Sequence, residues 1–233
     1  MKIIAFSLFG DNPIYTIGAI KNAELKQTFF ADWQMNVYYN KTVPKEIIKE
    51  LSEFKNVKTF STAQDMGFVN TMWRFLPAAN TEAEFFISRD LDSRISKRGE
   101  VAVEQWMKSG LEYHIIRDHP VGHGWPMNAG MWGCKGGTIP NMRHLIKNYI
   151  KDKNFTNKSL DQWFLKDVIH PMAIKSLLLH DEYYNYEGIG QAIPRDRKLD
   201  DFAFIGESVD ENDEPRGDQR SSIIQRYKNV VPK

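Results

Sequence analysis

In the first ninety residues, short apolar runs alternate with stretches whose apolar residues recur every three to four positions. This alternation restricts the fold more than any other feature. Residues 3–9, Ile-Ile-Ala-Phe-Ser-Leu-Phe, are a continuous apolar run suited to a strand covered on both faces of a parallel sheet. Gly10-Asp11-Asn12-Pro13 follows, with Asp11 or Asn12 as N-cap and Pro13 at the first position of a helix reaching about Phe30. Residues 35–39 predict a second strand, and Pro44 opens a helix in which Ile47, Ile48, Leu51 and Phe54 keep helical spacing. Val57 to Phe60 reads as a third strand, the stripe Val69, Met72, Trp73, Leu76 as a helix, and residues 84–88 as a fourth strand. Strands alternating with helices predict an α/β fold: a Rossmann-like, mostly parallel central sheet flanked by helices. In such sheets ligands bind at the carboxyl ends of the strands.

The second half is less regular. A helix near 98–108, a strand at 113–117, helices marked by Met142, Leu145, Ile146, Tyr149 and by Leu160, Trp163, Phe164, Val168, and a last strand at 174–179 are expected. The stretch 119–137, rich in Gly, Pro and Trp, reads as loop and edge structure, and the Arg-Ile-Ser-Lys-Arg run at 94–98 as a solvated helix start. No internal repeat or dividing linker is apparent, so residues 1–233 are expected to form one domain, with 195–233 a charged C-terminal wrap. Thirty-one Lys and Arg against 30 Asp and Glu give a net charge of +1, which argues against a protein that coats nucleic acid. Cys134 is the only cysteine, and no apolar stretch is long enough to span a bilayer. The apolar start is broken by Asp11 without a small-residue cleavage site, so a cytoplasmic protein is expected.

The fourth strand runs straight into Ser88-Arg89-Asp90-Leu91-Asp92-Ser93-Arg94. In extended chain, residues two apart share a face, so Asp90 and Asp92 point together while Leu91 turns towards the core. Adjacent carboxylates repel unless a cation lies between them or one stays protonated. Mg²⁺ and Mn²⁺ favour such oxygen ligands and complete their shells with substrate phosphates. The alternative is a polar turn whose aspartates pair with Arg89 and Arg94.

Phe-Phe-Ile-Ser-Arg-Asp-Leu-Asp-Ser-Arg resembles the D-x-D segment of GT-A fold glycosyltransferases. Three further segments agree in order with the glycogenin-like retaining members of that group: Met72–Pro77, whose arginine is Arg74; Met127-Asn128-Ala129-Gly130-Met131; and Leu160-Asp161-Gln162-Trp163-Phe164-Leu165. The small glycosyltransferases of large algal viruses look similar in size and layout, and the resemblance covers residues 1–185. It implies transfer of a sugar from a nucleotide-diphosphate sugar, with uracil as the usual base, to a carbohydrate or glycoconjugate acceptor, with Mn²⁺ or Mg²⁺ and with retention of configuration. By the same resemblance Asp161, Gln162 and Asn128 take the catalytic positions. Phe9, Gly10, Arg74, Asp90, Leu91 and Gly130 hold the donor, and Asp90, Asp92 and His180 hold the metal. The Lys-Pro-Trp that closes the site in those families is missing after His180, which leaves Arg195, Arg197 and Lys198 as candidates to meet the diphosphate. If the reaction inverted instead, Asp118, Asp161 or Asp181 would be the candidate bases.

Each assignment has a structural counterpart. Ser159 to Gln162 fits a capping box, Arg74 a solvated or ion-paired arginine, Asn128 and Gly130 an ordinary turn, and His180 a histidine at the edge of the core. Trp125 and Trp132 suit either sugar stacking or core, while Trp73, Trp163 and Phe164 read as helix core. His119, His123 and Cys134 lack the spacing and fourth ligand of a zinc site. Two other functions compete. A sugar-phosphate nucleotidyltransferase would need a basic loop after the first strand, where this chain has Phe9-Gly10-Asp11-Asn12; the other is a non-catalytic carbohydrate-binding protein.

Overall fold

The computed structural model describes residues 1–62, 65–151, 153 and 157–230. Seven strands form one sheet in the order β3-β2-β1-β4-β6-β5-β7. They are β1 (Lys2–Leu8), β2 (Gln34–Tyr39), β3 (Val57–Ser61), β4 (Phe85–Ser88), β5 (Tyr113–Arg117), β6 (Trp132–Lys135) and β7 (Leu177–Asp181). β1 pairs in parallel with β2 and β4, β2 with β3, and β5 with β7; only β6 runs antiparallel, between β4 and β5. The expected α/β architecture is therefore present, as a mixed sheet. Residues 119–137 depart from their reading as loop and edge: β6 lies inside the sheet, and Trp132, Gly133 and Cys134 are buried.

The apolar run of β1 buries both faces as expected. Ile3 and Ala5 join one core layer, while Ile4, Phe6 and Leu8 join the layer on the opposite side of the sheet. On that second side pack α1 (Pro13–Phe29), α2 (Lys45–Glu53) and α3 (Lys97–Ser109), through residues such as Ile20, Leu51 and Trp106. Asn12 caps α1 by accepting from the Ile14 N–H at 3.0 Å, with Pro13 as the first helical residue. Ser96 caps α3 in the same way, accepting from the Gly99 N–H at 3.2 Å. The first side is covered by a 3₁₀ segment (Gly67–Ala79), α4 (Met142–Ile150), α5 (Leu160–Phe164), a π turn (Leu165–Ile169) and α6 (His170–Ala173). No helix among the described residues is long and apolar enough to cross a membrane.

The segment 67–79 is the main departure from the predicted elements. Its apolar residues are buried at a spacing of three (Val69, Met72, Phe75, Ala78), as tighter 3₁₀ winding requires, and Trp73 is left half-buried. Two causes are visible. Pro77 removes an N–H from the ladder, and the Ser7 hydroxyl enters it, accepting from the Arg74 N–H at 3.0 Å and donating to the Thr71 carbonyl at 3.2 Å. Trp163, expected in the helix core, is also half-buried, whereas Phe164 is buried.

The last stretch, through a short 3₁₀ turn (Arg197–Asp200) to α7 (Ser221–Val230), is held by charge. Asp118 is buried and receives Arg98 at 2.8 Å, Arg197 at 2.6 Å and the Ile205 N–H at 3.0 Å. Arg98 is thus an internal ion-pair member and no solvated helix start; Arg94 likewise pairs with Asp213 at 2.6 Å.

Trp132, read from sequence as a possible sugar contact, is fully buried, edge-on to Phe75 and Phe86. Trp132→Ala is expected to cost about 3–5 kcal/mol, lowering the melting temperature by roughly 10 °C in calorimetry, while Trp132→Phe costs a fraction of that.

Candidate active site

A cleft of about 500 Å³ opens at the carboxyl ends of β1 and β4, where the strand–helix alternation placed it. Phe9 and Tyr15 line one wall, and Asp90, Leu91 and Asp92 form the floor. The three-residue period that buries Val69, Met72 and Phe75 also aligns Phe68, Thr71 and Arg74 along another wall. Lys158 and Asp161, before and within α5, close the far side.

Asp90 and Asp92 both face the cleft, while Leu91 between them is 3% exposed and packs into the core. The loop that carries them is gripped on both sides by glycines. A Cβ on Gly18 of α1 would lie 2.1 Å from the Leu91 carbonyl oxygen, and one on Gly130 would lie 1.8 Å from the Asp90 Oδ2. Gly130 thus lets the backbone of the Met127–Met131 turn rest directly on the Asp90 carboxylate.

Arg74 is the hinge of the site. It is 6% exposed, and its guanidinium contacts Asp90 through Nη1 and Asp161 through Nη2 at 3.1 Å. Burial works against its charge, but Asp90 and Asp161 outweigh that, and its pKa is raised. Asp161 is 4% exposed; burial raises its carboxyl against the lowering pull of Arg74. Burial and the neighbouring charge of Asp90 also raise Asp92, with the Ser208 hydroxyl, donating at 3.2 Å, pulling the other way.

The capping-box reading of 159–162 is not met. Ser159 makes no side-chain cap, and the Gln162 Oε1 instead accepts from the Ala129 N–H at 3.1 Å, tying α5 to the 127–131 turn. Asn128 is buried in that turn, and its amide donates to the His123 carbonyl at 3.4 Å. Asn128, Gly130 and Gln162 thus form the layer behind the cleft wall. Arg89, buried under the same turn, donates to the carbonyls of Ser88 at 2.8 Å and Gly130 at 3.4 Å. Gly10, with φ +76°, makes the left-handed turn after β1 and donates its N–H to the Thr42 hydroxyl at 2.7 Å.

Several expectations need correction. His180 does not join the aspartates: it sits on β7, three strands from β4, about 14 Å away at the usual interstrand spacing. Both its ring nitrogens are engaged, with His114 and with Gln105, each at 2.8 Å. Arg195 is paired with Asp200 and Arg197 with Asp118 and Glu182, so neither is a free cation for a diphosphate. Of the candidate bases, Asp118 is consumed by Arg98 and Arg197. Asp181 accepts from Tyr183, Tyr184 and Asn185 N–H groups and lies 3.0 Å from Arg117. Asp161 alone reaches the cleft. Among the described residues no group of three or more His, Cys, Asp or Glu gathers as a metal cage, and Cys134 lies buried in β6.

Sequence reasoning missed Tyr15, Thr71, Lys158, Ser208 and Arg216. The last two come from the C-terminal stretch: the Val209 N–H donates to the Asp92 carbonyl at 2.7 Å, and Arg216 lies 3.9 Å from the Asp92 carboxylate. No local motif marks them, because their role arises from a contact more than a hundred residues away. The signal for Phe68, Thr71 and Arg74 was present as a spacing of three.

No family model matches the chain, and no curated relative matches it in sequence. Solved structures match in fold. A glycosyltransferase involved in glycosylation of the major capsid of PBCV-1 aligns over 87% of this chain and 98% of its own, with 14% identity and a TM-score of 0.50. The galactosyltransferase LgtC, in complex with donor and acceptor sugar analogues, aligns over 70% of this chain and 69% of its own, with 11% identity and a TM-score of 0.49. Residues 1–349 of S. aureus TarS align over 76% of this chain, which spans 58% of that fragment, with 15% identity and a TM-score of 0.48. The chain therefore shares the GT-A fold that its motifs resemble.

The raised Asp92 carboxyl is directly measurable. In ¹³C NMR of aspartate carboxyls its midpoint is expected above the ordinary 3.8, and Asp90→Asn should lower it by removing the adjacent charge. The native state keeps this proton where the unfolded chain has released it. The Asp92 contribution to stability therefore falls as pH rises from 3.8 through the raised midpoint, and returns on acidification.

Proposed function

We propose that this protein is a glycosyltransferase that moves a sugar from a nucleotide-diphosphate sugar, with uridine diphosphate as the carrier, to a carbohydrate or glycoconjugate acceptor. The observation that carries the reading is the convergence in one cleft of the Asp90–Asp92 pair with Arg74, which joins it to Asp161. Two carboxylates and the Ser208 hydroxyl offer oxygen donors only, and the like-charge strain on Asp92 is what a bound cation would relieve. This donor set fits Mg²⁺ or Mn²⁺, which hold few protein carboxylates and fill the remaining positions with phosphate oxygens and water. Asp90 and Asp92 would hold the ion, which when bound supplies charge stabilisation to the departing diphosphate.

The chain's own residues account for the rest. Phe9 and Tyr15 offer aromatic walls to the base, while Lys158 and Arg216 flank the aspartates with positive charge for the diphosphate. Arg74 pairs with Asp161 at 3.1 Å and so favours its charged form against the opposing effect of burial, facing the position where the sugar develops oxocarbenium character. The bond from the anomeric carbon to the diphosphate oxygen breaks and the bond to the acceptor oxygen forms. The acceptor's proton leaves with the diphosphate oxygen, because Asp118 and Asp181 are tied up elsewhere and Asp161 is paired with Arg74. That favours retention of anomeric configuration.

A panel of nucleotide sugars with Mn²⁺ tests the reading: slow metal-dependent donor hydrolysis is expected, and Asp92→Asn should reduce it about 100-fold or more. No turnover with any donor, together with unchanged uridine diphosphate affinity in Asp92→Asn, overturns it. Diphosphate release from a sugar 1-phosphate and a nucleoside triphosphate would establish nucleotidyl transfer instead.

A further inference from the structure

A second cavity, of about 560 Å³, opens between the turn 121–126 and the loop after β7. Val121, Trp125, Pro126 and Tyr186 give it an apolar and aromatic lining, with the exposed Lys166 at its rim. Its size falls in the range of about 300–1,000 Å³ typical of small-molecule sites. The lining is open to solvent to a degree that core packing does not explain: Val121 is 74% exposed and Tyr186 57%.

Tyr186 is nevertheless held in place. Its hydroxyl donates to the Gly124 carbonyl at 3.1 Å, and the Arg117 guanidinium lies 4.9 Å from its ring centroid. Arg117 is itself buried and anchored by Asp181 and Glu187, so the support behind the ring is rigid. Tyr184 leans on Tyr186 at 5.4 Å and donates its hydroxyl to the Pro120 carbonyl at 2.8 Å, which pins the two loops together. An exposed aromatic ring whose conformation is already fixed loses little entropy when a ligand stacks on it. The ring face carries negative potential. The C–H face of a pyranose is apolar and weakly positive, and is complementary to it.

The segments that line this cavity continue into those that line the candidate active site. Pro126 directly precedes the 127–131 turn that rests on Asp90, and Lys166 follows Asp161 by five residues, about 7 Å along the helix. The Gln162–Ala129 hydrogen bond joins these two walls. We infer that this cavity is the acceptor subsite: one pyranose ring of an acceptor glycan lies against Trp125 and Tyr186, and Lys166 donates a hydrogen bond to one of its oxygens. Its role as an acceptor site rests on the glycosyltransferase reading, whereas the binding of a sugar there does not.

The full chain is titrated with methyl glycosides of glucose, galactose, mannose, xylose and fucose, followed by saturation-transfer NMR, and separately with uridine diphosphate and Mn²⁺. Binding of at least one glycoside is expected, weakened about tenfold in Trp125→Ala and in Tyr186→Ala, the worth of one aromatic contact. Tyr186→Phe, which keeps the ring, should stay near wild type, and both alanine variants should keep a cooperative thermal transition and wild-type nucleotide affinity. If no glycoside binds, or the alanine variants bind as tightly as wild type, the inference is overturned. Glycoside binding that the alanine variants lose, with no nucleotide binding in wild type, supports the sugar site and removes the transferase reading.

Discussion

The buried guanidinium of Arg74 is the constraint on which the site depends. A charge removed from water must be paired nearly completely, and leaving it unpaired costs several kcal/mol. Arg74 meets this demand only if the end of β4 supplies Asp90 and the start of α5 supplies Asp161 at the same place. It reaches that place only because the 67–79 segment winds as a 3₁₀ helix with the Ser7 hydroxyl in its ladder. Four separate parts of the chain, β1, the 3₁₀ segment, the β4 loop and α5, are thus held together through one residue, by its backbone N–H and its guanidinium. The cleft between them is shaped by the same contact.

A second charged cluster does comparable work for the C-terminal stretch. Asp118, at the end of β5, is held below the usual carboxylate range: burial opposes its charge, and Arg98 and Arg197 more than offset that. With the Ile205 N–H added, the chain after Arg195 is fastened across the N-terminus of α3. Only because it is fastened there do Ser208, Val209 and Arg216 reach Asp92. The contribution of Asp118 to stability is present at neutral pH and is lost as pH falls through its depressed native value. Acid should therefore loosen this stretch and, with it, the support behind Asp92.

The parts of the fold that could be read from sequence are those set by local patterning. A doubly buried strand must be apolar throughout, so β1 and β4 were visible, and the Asn12-Pro13 pair fixes the start of α1 by chemistry within a turn. The position of Asp90 and Asp92 followed from strand periodicity and from where α/β sheets bind ligands. What escaped was set by distant partners. Gln162 had a local cap available and left it for the Ala129 N–H. His180 carries the residue type of a metal ligand but lies three strands away, in a buried chain with His114 and Gln105. Lys158, Ser208 and Arg216 belong to the site through tertiary contact, which no spacing announces.

The single antiparallel strand explains how the site acquires its inner wall. In a wholly parallel sheet, every strand enters at the edge opposite the ligand and only strand exits border the cleft. β6 runs against β4, with Trp132 beside Ser88, so the segment entering β6 lies over the exit of β4. That places the 127–131 turn on the Asp90 carboxylate, at a closeness only Gly130 permits. The 121–126 turn, which lines the aromatic cavity, leads directly into that contact. Reversing one strand thus brings a second loop system to the edge of the sheet where the cleft opens, without enlarging the domain.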